Sequence, residues 1–189
     1  MDEQRGHILD CARQLLKESG YHAFSMQKVA EASNIELDEL QSHFESKSSL
    51  LTTVAIAFLE SHCAYFSRCQ IEKTGHIQQD LTLWLVSLLQ YRESEGCDIL
   101  FKECWAIALH DQEMRLVLDQ YYRQLERLIV NKLLPSAPEN CSAQKIESAG
   151  CFLLPFIEGY GLTRSTLPVS LLLLAELLSK SLQAILSEE

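Results

Sequence analysis

Ten aromatic residues, Phe58, Tyr65, Phe66, Trp84, Phe101, Trp105, Tyr121, Phe152, Phe156 and Tyr160, are concentrated in the middle and later parts of this chain, with His62, Glu103, Cys104 and Glu158 as polar neighbours. Most of the aromatics read as core. His62, Trp84, Phe101, Glu103, Cys104, Trp105, Phe156 and Glu158 nevertheless have the make-up of a ligand cavity, which is mostly apolar with a few placed polar groups. Glu103 and Glu158 favour a cationic ligand if either faces inward. Reactive chemistry is harder to find. The sequence carries no phosphate-cradling glycine loop, no GxSxG, no HExxH and no His/Cys cluster at zinc spacing, so it is read as a non-enzyme with no metal and no cofactor. Its seven cysteines are an odd number with no CxxC pair, and they read as reduced, mostly buried small hydrophobes. The spacings of Cys63 with Cys69 and of Cys97 with Cys104 leave a redox-sensing pair open.

The elements that position such residues are bounded by composition. The chain has 189 residues, enough for one large domain or two small ones, with 47% hydrophobic and 22% charged residues. Sixteen Lys and Arg against 26 Asp and Glu give a net charge of −10, which argues against a partner held by a global positive field, such as nucleic acid or an anionic membrane. The N-terminus, Met1-Asp2-Glu3-Gln4, is acidic and is not followed by an apolar run, so it does not read as a signal peptide. The uncharged stretches Ser48 to Leu59 and Ser165 to Ala175 fall short of the roughly 20 residues that cross a bilayer. No membrane partner and a cytoplasmic location are expected.

Apolar residues recur at helical period nearly everywhere, so the fold class is all-α with nine helices. Ile8, Leu9, Ala12, Leu15 and Leu16 make the stripe of the first helix, which stops at Gly20. Ser25 is a good N-cap for a short helix that carries Met26, Val29 and Ala30. The turn Ser33-Asn34-Ile35 follows, with Asn34 suited to positive φ, and then a second short helix with Leu40 and Phe44. A long helix runs from Lys47 to about Glu72. Helices are also expected over Ile77 to Glu93, Ile99 to Leu109, from Asp111 through Ile129, Ser142 to Thr163 and Pro168 to Ser187, with breaks at Lys73-Thr74-Gly75, Glu95-Gly96 and Pro135 to Pro138.

Two short helices joined by a tight turn between Ser25 and Phe44 have the spacing of a helix-turn-helix, whose second helix can lie in a DNA major groove, and equally that of any pair of short core helices. The surrounding residues resemble a family, the TetR-type transcriptional regulators. The match runs through Ile8-Leu9, Ala12, Leu15-Leu16, then Gly20-Tyr21, Phe24-Ser25-Met26, Val29-Ala30, then Ile35, Leu40, and His43-Phe44, Ser46-Lys47 and Leu50-Leu51. It covers about the first 55 residues; the rest agrees only as a helical region of the right length. The resemblance implies a homodimer with one reading head per subunit, a palindromic double-stranded DNA operator and a pocket for a small-molecule effector in the helical body. It divides the chain into a DNA-binding domain at 1–50 and a ligand-binding and dimerisation domain at 51–189.

On that resemblance, Ser25 sits at a helix N-terminus suited to a phosphate oxygen. Lys47 and His43 match backbone-phosphate positions, and Gln27 and Lys28 point outward. Leu37, Asp38, Glu39, Gln41 and Ser42 face the groove, where Gln41 can pair with adenine and Leu37 can touch a thymine methyl. The chain departs from the family in having Glu36-Leu37-Asp38-Glu39 where Ser-x-Gly-Thr is common, and Gln41 where an aromatic residue is common. Residues 1–51 hold five basic and nine acidic residues, a net −4. Acids in a first helical turn favour the helix dipole by about 0.3–1 kcal/mol each, but on DNA they repel the backbone unless they accept from cytosine amino groups. A TetR-like dimer with weakened or lost DNA binding, acting as a sensor or a protein-interaction module, is therefore the alternative. The last helix is apolar on nearly every side and calls for a covering partner. Phe152, Phe156, Leu171, Leu174, Leu178, Leu182 and Ile185 are the expected dimer contacts; the competing reading is a helix fully buried in a monomer.

Overall fold

Backbone punctuation lies where the glycine, asparagine and serine residues predict it. In the computed structural model, residues 3–93, 97–167 and 169–187 are described. Nine α-helices occur among them: α1 (Glu3–Ala23), α2 (Met26–Ser33), α3 (Leu37–His43), α4 (Lys47–Arg68), α5 (Ile77–Glu93), α6 (Cys97–Ala108), α7 (Gln112–Leu133), α8 (Ala143–Thr163) and α9 (Leu171–Ser187). A 3-10 turn, Leu134–Ser136, falls in the proline-marked loop. The all-α class with nine helices agrees with the sequence reading. The expected break at Glu95-Gly96 and the expected start at Pro168 lie outside the described residues.

α6 begins at Cys97 rather than Ile99, and two further boundaries differ from expectation. α1 does not end at Gly20 but breaks there, with φ 69° and ψ 173°, and one more helical turn follows to Ala23. Only glycine visits that combination at little cost, so the residue type still explains the break. α4 ends at Arg68 rather than about Glu72. α4 is long and apolar enough to cross a bilayer, but more than half of its apolar window is buried inside the protein, as a core helix would be.

The chain forms two compact units. The first comprises Met1–Ser61 and Ile99–Gln120, and the second His62–Asp98 and Tyr121–Glu189. In the first, α1 packs on α2 and α2 on α3. Ile8, Ala12, Leu16, Val29, Ala30, Leu40, Phe44 and Leu50 are among its buried apolar side chains. The Phe101 ring of α6 meets Phe58 of α4 edge-on, with centroids 4.8 Å apart. In the second, α5 packs on both α8 and α9, and α8 on α9. Leu81, Leu85, Leu88, Leu153, Ile157, Leu178 and Leu182 line that contact region as buried residues. Burying each such side chain contributes about 1.5–3 kcal/mol relative to exposure.

Candidate nucleic-acid interface and ligand-side residues

α2 begins at Ser25, an extended residue (φ −146°, ψ 155°) whose Oγ accepts from the Lys28 N–H at 3.3 Å. It ends in a left-handed residue, Asn34, at φ 55° and ψ 45°. The Asn34 N–H donates to Glu31 O at 3.2 Å and the Ile35 N–H to Ala30 O at 3.0 Å, the paired bonds of a Schellman ending. The chain thus reverses within three residues. Leu40 is then fully buried between the two helices, with Ala30 and Val29 opposite as small or branched residues in the core. This buried face leaves the other side of α3 to solvent: Asp38, Glu39, Gln41 and Ser42 are exposed, and Leu37 and His43 half-buried. Gln27 and Lys28 are exposed on α2, and Ser25 is half-buried.

Several of these side chains are already engaged. The Ser42 hydroxyl donates to Glu39 O at 2.7 Å. The Glu39 carboxylate accepts from the Gln4 side-chain amide. Lys28 Nζ donates to Ala23 O at 2.8 Å. The largest change from expectation is Lys47. Its Nζ donates to Tyr21 O at 2.9 Å and Phe24 O at 2.8 Å, and lies 4.1 Å from the Tyr21 ring centroid. Partial burial lowers its pKa, and the ammonium is spent on tying the end of α1 to the start of α4. The Arg5 guanidinium stacks over the Phe44 ring, 4.7 Å from its centroid, and adds a cation beside the end of α3.

The eight residues expected to line one ligand cavity are divided between the two units. Phe101, Glu103, Cys104 and Trp105 belong to the first, and His62, Trp84, Phe156 and Glu158 to the second. Phe101 and Cys104 are buried core, whereas Trp105 and Phe156 are 44% and 42% exposed. Burial pushes the Cys104 thiol up to about 12 and the Cys97 thiol up to about 11, so neither is a ready thiolate, and all seven cysteines are free. Glu103 is committed to α1. Its Oε2 accepts the Tyr21 N–H at 2.8 Å, beside a cleft of about 550 Å³ lined by Ser19, Tyr21, His22, Ile107, His110 and Asp111.

Glu158 faces inward. Its Oε2 takes the Tyr122 hydroxyl at 3.1 Å and Arg92 Nη2 at 3.4 Å, while Oε1 is buried with no hydrogen-bond partner among the described residues. Burial raises the Glu158 pKa, against the opposing pull of Arg92. His62 is fully buried, with Nδ1 2.7 Å from the Tyr121 hydroxyl, and burial followed by the Arg92 charge holds its pKa down at about 3. It is a neutral imidazole. Arg92, with no exposed surface, is the residue the sequence reading missed. Its signal was there: on α5 it continues the buried stripe Leu81, Leu85, Leu88 at the next helical step. Gly161 makes room for it, because a Cβ there would lie 2.5 Å from Arg92 Nη2.

The expected dimer contacts also need correction. Leu178 and Leu182 are buried within the chain's own second unit, where α9 meets α5 and α8, so they are not available to a partner. Phe152, Leu171, Leu174 and Ile185 are half-buried and Phe156 is exposed. The outward face of α9 is instead carried by Leu172, Leu173 and Leu177, at 54%, 49% and 51% exposure. Helical period alone does not orient a helix that is apolar all round.

Residues 8–54 match the family model for bacterial regulatory proteins of the tetR family. The chain is 30% identical over 181 residues to an uncharacterised HTH-type transcriptional regulator in the dhlA 5' region of Xanthobacter autotrophicus, covering 91% of this chain and 85% of that protein. Two solved structures share the fold. A TetR transcription regulator from Haloarcula marismortui matches at a TM-score of 0.74 and 17% identity, covering 98% of this chain and 97% of that one. GusR of Salmonella enterica matches at 0.74 and 21% identity, covering 100% and 98%.

Proposed function

Since this chain belongs to the TetR family of bacterial regulatory proteins and is a helix-turn-helix transcriptional regulator, we propose that it acts as a dimeric, ligand-responsive repressor of transcription. Residues 1–50 form the DNA-binding domain and residues 51–189 the ligand-binding and dimerisation domain. α3 enters the major groove of a palindromic operator, and the N-terminus of α2 meets the neighbouring phosphates. A small-molecule effector bound in the helical body releases the operator, and the cytoplasm is where such a protein works.

The observation that carries this reading is the α2–turn–α3 pair. Its packing contacts are buried, and its polar residues Gln27, Lys28, Gln41 and Ser42 face solvent together. The exposed Leu172, Leu173, Leu177 and Phe156 supply an apolar surface for a second copy, which supports two heads acting at once. Selecting bound fragments from a random or genomic DNA pool tests the function. Enrichment of a palindrome is the expected result, and no enrichment even at low salt overturns it.

A second reading is favoured by one specific feature. Glu36, Asp38 and Glu39 are exposed on and beside the helix that would enter the groove, and residues 1–51 carry a net −4. A head of that charge suits a basic protein partner, and the molecule would then be a sensor with lost DNA binding. Salt separates the two, because DNA binding weakens steeply with salt through counterion release.

A further inference from the structure

We propose that Glu103 is a positioning residue for DNA binding: from α6 it clamps the backbone at the Gly20 break and thereby sets the direction in which α2 presents its N-terminus. This rests on the reading of α2 and α3 as a DNA-binding head.

Four observations converge on one peptide segment. Gly20 breaks α1 with non-helical angles, φ 69° and ψ 173°, so the direction of the last turn is set by a residue with wide backbone freedom. The Tyr21 N–H donates to Glu103 Oε2 at 2.8 Å, across 82 residues of sequence. The Tyr21 carbonyl accepts from Lys47 Nζ at 2.9 Å, and the same ammonium takes the Phe24 carbonyl at 2.8 Å. Tyr21 is therefore gripped at both ends of its backbone, by an anion on α6 and a cation on α4. A Cβ at Gly20 would lie 3.2 Å from Glu103 Oε1, so the carboxylate is seated against the break itself.

The gripped segment leads directly into Ser25, the N-cap of α2. From the Gly20 break the chain reaches α2 through the short stretch from Tyr21 to Phe24, so holding Tyr21 holds the approach angle of the α2 N-terminus. Both hydrogen bonds are charge-assisted, the stronger kind for a fixed geometry. The backbone that carries Glu103 is anchored, because its neighbours Phe101 and Cys104 are buried and Phe101 is seated on Phe58. The cleft of about 550 Å³ beside the clamp leaves space for the carboxylate to withdraw. Loss of the Glu103 bond therefore frees the Tyr21 backbone, and the α2 N-terminus loses its fixed register on the phosphates.

Salt dependence of binding to a random-sequence duplex of about 30 bp, long enough for two half-sites, tests this with no operator in hand. The full chain should bind with a steep slope of log affinity against log salt. Glu103→Ala should weaken binding at about 50 mM salt at least tenfold, and make the slope shallower by about 0.9 for each Lys or Arg that leaves its phosphate as the head loses its register. Glu103→Gln, which keeps an acceptor for the Tyr21 N–H, should restore most of the slope. Glu103→Asp, one methylene short, should fall between and serves if the alanine variant does not fold. A side chain that only stabilised the fold would lower Tm and leave the slope untouched; that result, or a glutamine variant no better than alanine, overturns the inference. If the unmodified chain shows no binding at low salt, the DNA-binding reading itself falls, and the inference falls with it.

Discussion

In the unit formed by Met1–Ser61 and Ile99–Gln120, polar side chains that join distant segments end mainly on backbone atoms, whereas in the unit formed by His62–Asp98 and Tyr121–Glu189 most of those that join distant segments end on one another. In the first, Ser25 caps Lys28 N, Asp111 caps Met114 N at 3.0 Å, Lys47 holds two carbonyls, and Glu103 holds an amide. In the second, Arg92 meets Glu158, Arg164 meets Asp98 at 2.6 Å, His62 meets Tyr121, and Thr82 meets Ser179 at 2.8 Å. The difference teaches where each unit can yield. Backbone caps fix the ends of helices and leave faces open to a partner, while paired side chains fix helices against each other and fill the interior. A buried pair is also costlier to break, because the surviving partner is stranded without water.

Substitutions that probe this contrast fall in order of size. Arg92→Met removes the cation beside Glu158 and should destabilise the protein by about 3–5 kcal/mol, read by urea unfolding with the buried Trp84 as fluorophore. A destabilisation no larger than a capping serine is worth would erase the contrast. Leu40→Ala empties the space between α2 and α3 and should cost about 3 kcal/mol, with DNA binding abolished in the same variant. If binding survives, the first unit does not depend on its small core as argued.

A pH titration of stability isolates His62. Its folded pKa of about 3 lies below the ordinary 6.5, so the unfolded chain takes up the proton first. The stability its neutral form contributes is complete above pH 6.5 and is lost as pH falls towards 3. At pH 5 the deficit should be about 2 kcal/mol relative to neutral pH. The raised pKa of Glu158 acts with the opposite sign, so the His62 contribution is read as the difference between the unmodified chain and His62→Gln across the same pH range. Parallel curves would show that His62 is not held neutral by burial. Smallest of the four, Ser25→Ala should cost about 1 kcal/mol through removal of the α2 cap, with no change in the pH profile.

Legibility in the sequence follows the same division. Ser25, Asn34 and Asp111 were readable as caps and turns because each acts within three or four residues of itself, where the chain alone brings the partners together. Leu40 was readable as the buried residue of the turn, and the groove-facing residues of α3 followed from it by helical spacing. The site beyond that was not. Glu103 was expected to line a ligand cavity and instead reaches Tyr21, and Lys47 was expected on a phosphate and instead holds two carbonyls. Leu178 and Leu182 were expected at a dimer surface and instead face α5 and α8. Each of these depends on which side of a helix meets which neighbour.

By itself the sequence determined nine helices, the reversal between α2 and α3, and the family to which the chain belongs, because apolar period, caps and turn residues act over a few positions at a time. Only the tertiary structure decided that Arg92, Glu158, His62 and Tyr121 would share a buried interior, and that a glutamate on α6 would grip the backbone of α1. The reason is distance along the chain. Local rules reach about one helical turn, whereas those contacts join residues 59, 66 and 82 positions apart, and only the packing of whole helices brings such residues together.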